Sequence, residues 1–124
     1  MNRQILSSDC FQSAVTKIKA EWHPEAVPPT ILYAELAAHF AANFDSIGDD
    51  EKKDIFSIIE TNLIQENEPD STFELTGFVE SLLHKDSNGQ FDFSKILKLL
   101  GERTREYCIK YNSFTSNSIK GLDS

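Results

Sequence analysis

Cysteine, glycine and long apolar runs are all scarce in this sequence, and each shortage excludes something. Two cysteines, Cys10 and Cys108, stand near opposite ends of the 124 residues, and there is no CxxC. Two thiols alone cannot complete a zinc site or build a disulfide framework, so free buried thiols are expected. The five glycines are scattered, and none belongs to a phosphate-cradling loop. GxSxG and HExxH are absent as well, which leaves nucleophilic and zinc-hydrolase chemistry without a motif. No stretch reaches the ~18 apolar residues that a membrane-spanning helix requires. The longest, residues 34–44, is interrupted by Glu35, His39 and Asn43. The opening MNRQILSSDCF has neither the apolar core nor the cleavage site of a signal peptide, so a cytoplasmic location is expected.

Charge is abundant but uneven. Twenty acids face twelve bases, for a net charge of −8. Residues 31–92 hold fourteen acids against three bases, whereas residues 93–124 hold six bases against three acids. Such an acidic middle repels nucleic acid and anionic membranes and is suited to a basic protein partner, unless it serves only as a solubilising surface.

The apolar residues recur at helical spacing in five segments, and no segment alternates as a strand would. The first runs from about Asp9 to Trp22 and stops before Pro24. A second, Thr30 to Ile47, carries the stripe Leu32, Leu36, Phe40, Phe44 and Ile47 flanked by alanines. A third, Asp50 to about Asn67, opens with acids that suit the positive end of a helix dipole. A fourth spans Ser71 to His84, and a fifth continues from Asp92 or Ser94 to Tyr111, with Gly101 inside it as a bend. The expected fold is all-α: one compact antiparallel bundle of about five helices over residues 1–124, with 1–8 and 113–124 as frayed tails. The core should contain Leu36, Phe40, Phe44, Ile59, Leu63, Phe78, Leu82, Leu97 and Leu100.

Three constellations invite chemistry. The loop from His84 to Lys95 resembles a calcium loop around Gly89, but a lysine occupies the position of the bidentate glutamate. Glu35–His39 and Glu80–His84 are four apart, whereas di-iron bundles use ExxH, so no metal or other cofactor is expected. Glu60 and Glu80 sit in apolar surroundings, FSIIETNLI and GFVESLL. A part-buried carboxylate needs a partner, and Arg103, placed between Leu100 and Tyr107, is the natural one for one of the two. These three are read as structural polar residues, with a ligand or catalytic role as the alternative.

The pairing of Ile59-Glu60 with Gly77-Phe78-Val79-Glu80, across the acidic stretch QENEPDSTFEL, resembles a group of small bacterial helical proteins over about residues 30–85. Such small acidic chains are similar to the immunity proteins that bacteria keep beside secreted toxins. The resemblance implies a non-enzymatic protein that occludes a cognate toxin. The contact is expected on Asp45, Asp49, Asp50, Glu51, Asp54, Glu66, Glu68, Asp70 and Glu74. A regulatory or adaptor bundle is the alternative, followed by a small ligand- or metal-binding bundle.

Overall fold

A computed structural model describes residues 4–65 and 73–115. The described chain is all-α. Its α-helices are α1 (Gln12–Trp22), α2 (Pro29–Ala42), α3 (Asp49–Ile64), α4 (Glu80–Ser87) and α5 (Glu102–Thr115). Short 3₁₀ segments at Ile5–Ser7, Asp9–Phe11 and Phe44–Ser46, a longer one at Phe93–Leu99, and a π-helical turn at Glu74–Val79 join them.

Helix α2 is the centre of the molecule. It packs against α1 on one side and against the π-turn and α4 on the other, while α3 packs on α5. Proline at its first position starts it without wasting a hydrogen bond, because that N–H has no intrahelical acceptor. The expected stripe then faces inward through Leu32, Leu36 and Phe40. Phe40 meets Phe44, Phe56, Phe78 and Phe91 edge-on, with ring centroids 5.4–6.2 Å apart. Edge-to-face packing suits the ring quadrupole and adds to the area that these rings bury. Gly77 lets the π-turn lie directly on α2. A Cβ there would stand 2.6 Å from the Cβ of Tyr33.

Several helix boundaries differ from the sequence expectation, each for a local reason. The second helix ends at Ala42, and the Asn43 amide folds back to donate to the His39 carbonyl at 2.9 Å. The chain then tightens into Phe44–Ser46, so Phe44 is only half-buried, although Ile47 still reaches the core. The expected fifth helix is two elements: Phe93–Leu99 winds as 3₁₀, and α5 begins after Gly101, which is a junction rather than a bend inside one helix. Buried residues in the first part are Phe93 and Ile96, three apart as a three-residue turn requires, while Leu97 and Leu100 stay at the periphery. In α5 the buried positions are Thr104, Cys108 and Asn112, with Tyr107 and Tyr111 half-buried beside them. Within the tails expected to fray, Ile5 is fully buried and α5 continues to Thr115, while residues 1–3 and 116–124 lie outside the described residues. Leu36, Phe40, Ile59, Phe78 and Leu82 occupy the core as expected; Leu63 is at its edge and Ile64, 61% exposed, is outside it.

Phe40→Ala should cost roughly 3–5 kcal/mol in urea denaturation, because four neighbouring rings lose a common partner. Gly77→Ala should cost about 1–3 kcal/mol by overpacking against Tyr33. Gly48→Ala, with no atom within 4 Å of the new Cβ, meets no clash and should cost less, about 0.5–1 kcal/mol, because it replaces a glycine N-cap of α3.

Candidate functional site

The carboxylates separate into those that hold the fold together and those that face solvent. Glu60 belongs to the first group. Its side chain crosses from α3 to the start of α5, where it accepts from the Arg103 N–H at 2.8 Å, the Thr104 N–H at 2.9 Å and the Thr104 hydroxyl at 2.8 Å. The first N–H groups of a helix have no intrahelical acceptor, and a negative charge there is favoured by the helix dipole. Glu60 therefore caps α5 in trans. The sequence suggests an ion pair of Arg103 with one of Glu60 and Glu80. The contact with Glu60 is made by the Arg103 backbone N–H instead, and the guanidinium side chain is exposed. Gly101 makes room for this. A Cβ at that position would lie 2.3–2.4 Å from the carboxyl end of Glu60.

Glu80, at the exit of the π-turn, has a partner that the sequence did not suggest: the Tyr107 hydroxyl donates to it. Burial and the adjacent carboxylate push the Tyr107 phenol above its ordinary range, and burial followed by Glu80 does the same to Tyr111. Burial alone is the main reason that the Cys108 thiol rises from its ordinary 9.0 to about 12. Cys10 also reaches about 12, by burial first and then by the charge of Glu51. Both thiols are held protonated, which is the opposite of what a nucleophile needs.

Two residues from the expected contact surface also serve the interior. Glu74 is 0% exposed; it accepts from the Ile5 N–H and from the Asn62 amide, both at 2.9 Å. This overturns its place among the surface acids, because a buried carboxylate must spend its lone pairs internally. Glu51, half-buried, accepts from the Cys10 N–H at 2.8 Å. Asp54 is partly buried, whereas Asp45, Asp49 and Asp50 are exposed together at the corner between α2 and α3. Glu66, Glu68 and Asp70 lie outside the described residues.

The two motifs with metal-like spacing are used locally. Asp86 accepts from the Phe93 N–H at 2.8 Å, and Asp92 accepts from the Ser94 N–H and hydroxyl. In the two ExxxH pairs the histidines turn to asparagines one turn on, His39 to Asn43 and His84 to Asn88. Among the described residues no three His, Cys, Asp or Glu converge as metal ligands.

The surface feature with most chemical character surrounds Phe44. On one side of it opens a groove of about 670 Å³ whose lining includes Asp45, Asp86, Asp92, Phe91 and Lys95. On the other side is a pocket of about 400 Å³ lined by Asp49, Lys52, Lys53, Lys95, Lys98 and Leu99. The Lys52 ammonium sits 3.8 Å from the centroid of the Phe44 ring and that of Lys95 5.7 Å. One half-buried aromatic ring thus separates an acid-edged groove from a lysine-lined pocket. The sequence showed the acids of this corner; it did not show the lysines, because 52–53 and 95–98 are far apart in the chain. Comparison with known proteins gives no matching family model, and no curated protein or solved structure matches the chain. Among the described residues no helix is long and apolar enough to cross a membrane.

The Glu60 cap should appear as coupling to Gly101. Glu60→Ala should cost about 1–3 kcal/mol, since it leaves helix-start donors without their acceptor. Gly101→Ala should be similarly costly alone but nearly free in the Glu60→Ala background, because the obstructing carboxylate is gone. A double-mutant cycle in urea measures this.

The thiols give a pH dependence whose sign follows from their raised values. The folded chain holds its thiol protons more tightly than the unfolded chain does. The contribution is therefore fully present below about pH 9 and is lost as pH rises toward 12. Melting temperature should fall steeply above pH 9, and Cys108→Ala should flatten that alkaline limb.

Proposed function

We propose that the chain is a non-enzymatic binding protein whose docking face is the corner between α2 and α3, and that its partner is a protein with a basic contact surface. The observation that carries this reading is the grouping of exposed Asp45, Asp49 and Asp50 beside a 670 Å³ groove edged by Asp86 and Asp92, with Lys95 also on its lining, and walled by Phe44 and Phe91. A groove of this composition suits a lysine or arginine side chain: the carboxylates attract the charge, and the aromatic faces accept the stem or the cation itself. Charge at the rim acts chiefly on the association rate, through steering.

In its most concrete form the partner is a secreted bacterial toxin domain, and the chain is the immunity protein that occludes it. Support for that step comes from the resemblance of the Ile59-Glu60 and Gly77–Glu80 motifs and from the net charge of −8. A regulatory or adaptor bundle would use the same face on a different basic protein. Glu51 and Glu74 are left out of the contact because neither lines the groove and Glu74 is buried outright.

The test is association kinetics with the product of the neighbouring gene at low and high salt, comparing the wild type with an Asp45→Lys, Asp50→Lys variant. Charge reversal at these exposed positions should slow association roughly tenfold or more at low salt. The difference should shrink as the Debye length falls from ~10 Å at 0.1 M to ~3 Å at 1 M. Loss of a favourable helix-start charge at Asp50 should cost the fold only about 0.3–1 kcal/mol. Equal association rates for the two proteins at low salt would remove the acidic docking mechanism.

A further inference from the structure

The lysine-lined pocket beside Phe44 is not explained by docking of a basic partner, which it would repel. Lys52, Lys53, Lys95 and Lys98 are four of the twelve basic residues in a chain of net charge −8, and they line one concavity of about 400 Å³ with a single carboxylate, Asp49. Two features of the fold bring them together. Residues 93–99 wind as a 3₁₀ helix, in which positions three apart eclipse one another, so Lys95 and Lys98 stand on the same edge. Opposite them, consecutive Lys52 and Lys53 project from the first turns of α3.

Like charges gathered on a concave wall repel one another, and the surface offers many places where they would not. The arrangement is also fixed rather than fluid. Lys52 is only 8% exposed, an uncommon state for a lysine. Its ammonium is held between the Phe44 ring, 3.8 Å from the centroid, and Asp49, at 3.9 Å. A ligand that meets this wall gains electrostatic energy without having to order Lys52 first.

We propose that this pocket binds a small, multiply charged oxyanion of the phosphate type, either free or carried on a small organic molecule. Lysines recognise phosphate as point charges, and several of them around one concavity suit a dianion better than a single carboxylate. The volume is that of a small-molecule site, and Phe44 and Leu99 offer an apolar wall to a carbon skeleton. A nucleic-acid polymer is disfavoured, because its remaining phosphates would lie against a strongly acidic surface. This site rests on a different observation from the docking reading above, the clustered lysines, although Lys95 lines both concavities and Asp49 belongs to both readings.

The experiment is an NMR titration of the whole chain with inorganic phosphate and, separately, with phenyl phosphate, at about 0.15 M salt where weak surface attraction is screened. Saturable shifts confined to the amides of residues 52–53 and 95–99 are expected. Tighter binding of phenyl phosphate would assign the apolar wall to an organic carrier, and equal binding would assign the site to the free ion. Lys95→Gln with Lys98→Gln, both at exposed positions, should weaken binding roughly tenfold or more, with the melting temperature unchanged or raised by relief of repulsion. Lys53→Gln alone should weaken it in the same direction and serves if the double variant is unstable. Lys17→Gln with Lys19→Gln, exposed on α1, should leave binding as in the wild type. Absence of saturation, shifts spread over the whole surface, or an equal loss in the α1 variant would overturn the proposal.

Discussion

The first N–H groups of a helix have no acceptor within it, and in this chain carboxylates from other parts of the sequence supply several of those acceptors. Glu60 serves Arg103 and Thr104, Glu74 serves Ile5, Glu51 serves Cys10 and Asp86 serves Phe93. Three of these links join residues 41 to 69 apart in sequence, so each fixes where one element begins relative to another. The remaining fold follows from them. The segment around Ile5 can pack into the core because Glu74 satisfies its amide there. Helix α5 can start at Glu102 because Gly101 leaves space for the Glu60 side chain.

This division of the acids changes the meaning of the net charge. Composition alone presents twenty carboxylates as one negative surface. In the fold, some of them neutralise helix starts and are unavailable to a partner, and Glu74 is buried outright. The exposed remainder at the α2–α3 corner is smaller and more local. It also borders a cluster of lysines, so this corner changes sign within the span of one phenylalanine ring. Steering toward such a surface depends on orientation, because a partner approaching from the groove side meets the opposite field from one approaching the pocket.

The longest 3₁₀ segment, Phe93–Leu99, shows how one local choice reaches both packing and surface. Its three-residue repeat sends Phe93 and Ile96 inward and leaves Lys95 and Lys98 together outside. An α-helix over the same residues would favour Leu97 and Leu100 for the core, as the sequence pattern suggests. The 3₁₀ form places them at the periphery instead. Asp86 and Asp92 hold this segment at its start, which is the structural use of a loop that looks like a broken calcium site.

The helical class and the central stripe of α2 were legible from the sequence. Both depend on periodicity, which is a local property. Glu60 and Glu80 could be recognised as residues in need of partners, since apolar neighbours on both sides predict partial burial. Their partners could not be recognised, because hydrogen-bond acceptors are assigned by contacts between segments that are distant in the chain. The burial of Glu74, the splitting of the last helix at Gly101 and the meeting of Lys52 and Lys53 with Lys95 and Lys98 were decided by tertiary structure alone. In each case an isolated segment has two acceptable conformations or exposures of similar energy. The choice falls to whichever one satisfies backbone donors and packs the phenylalanine core at the same time.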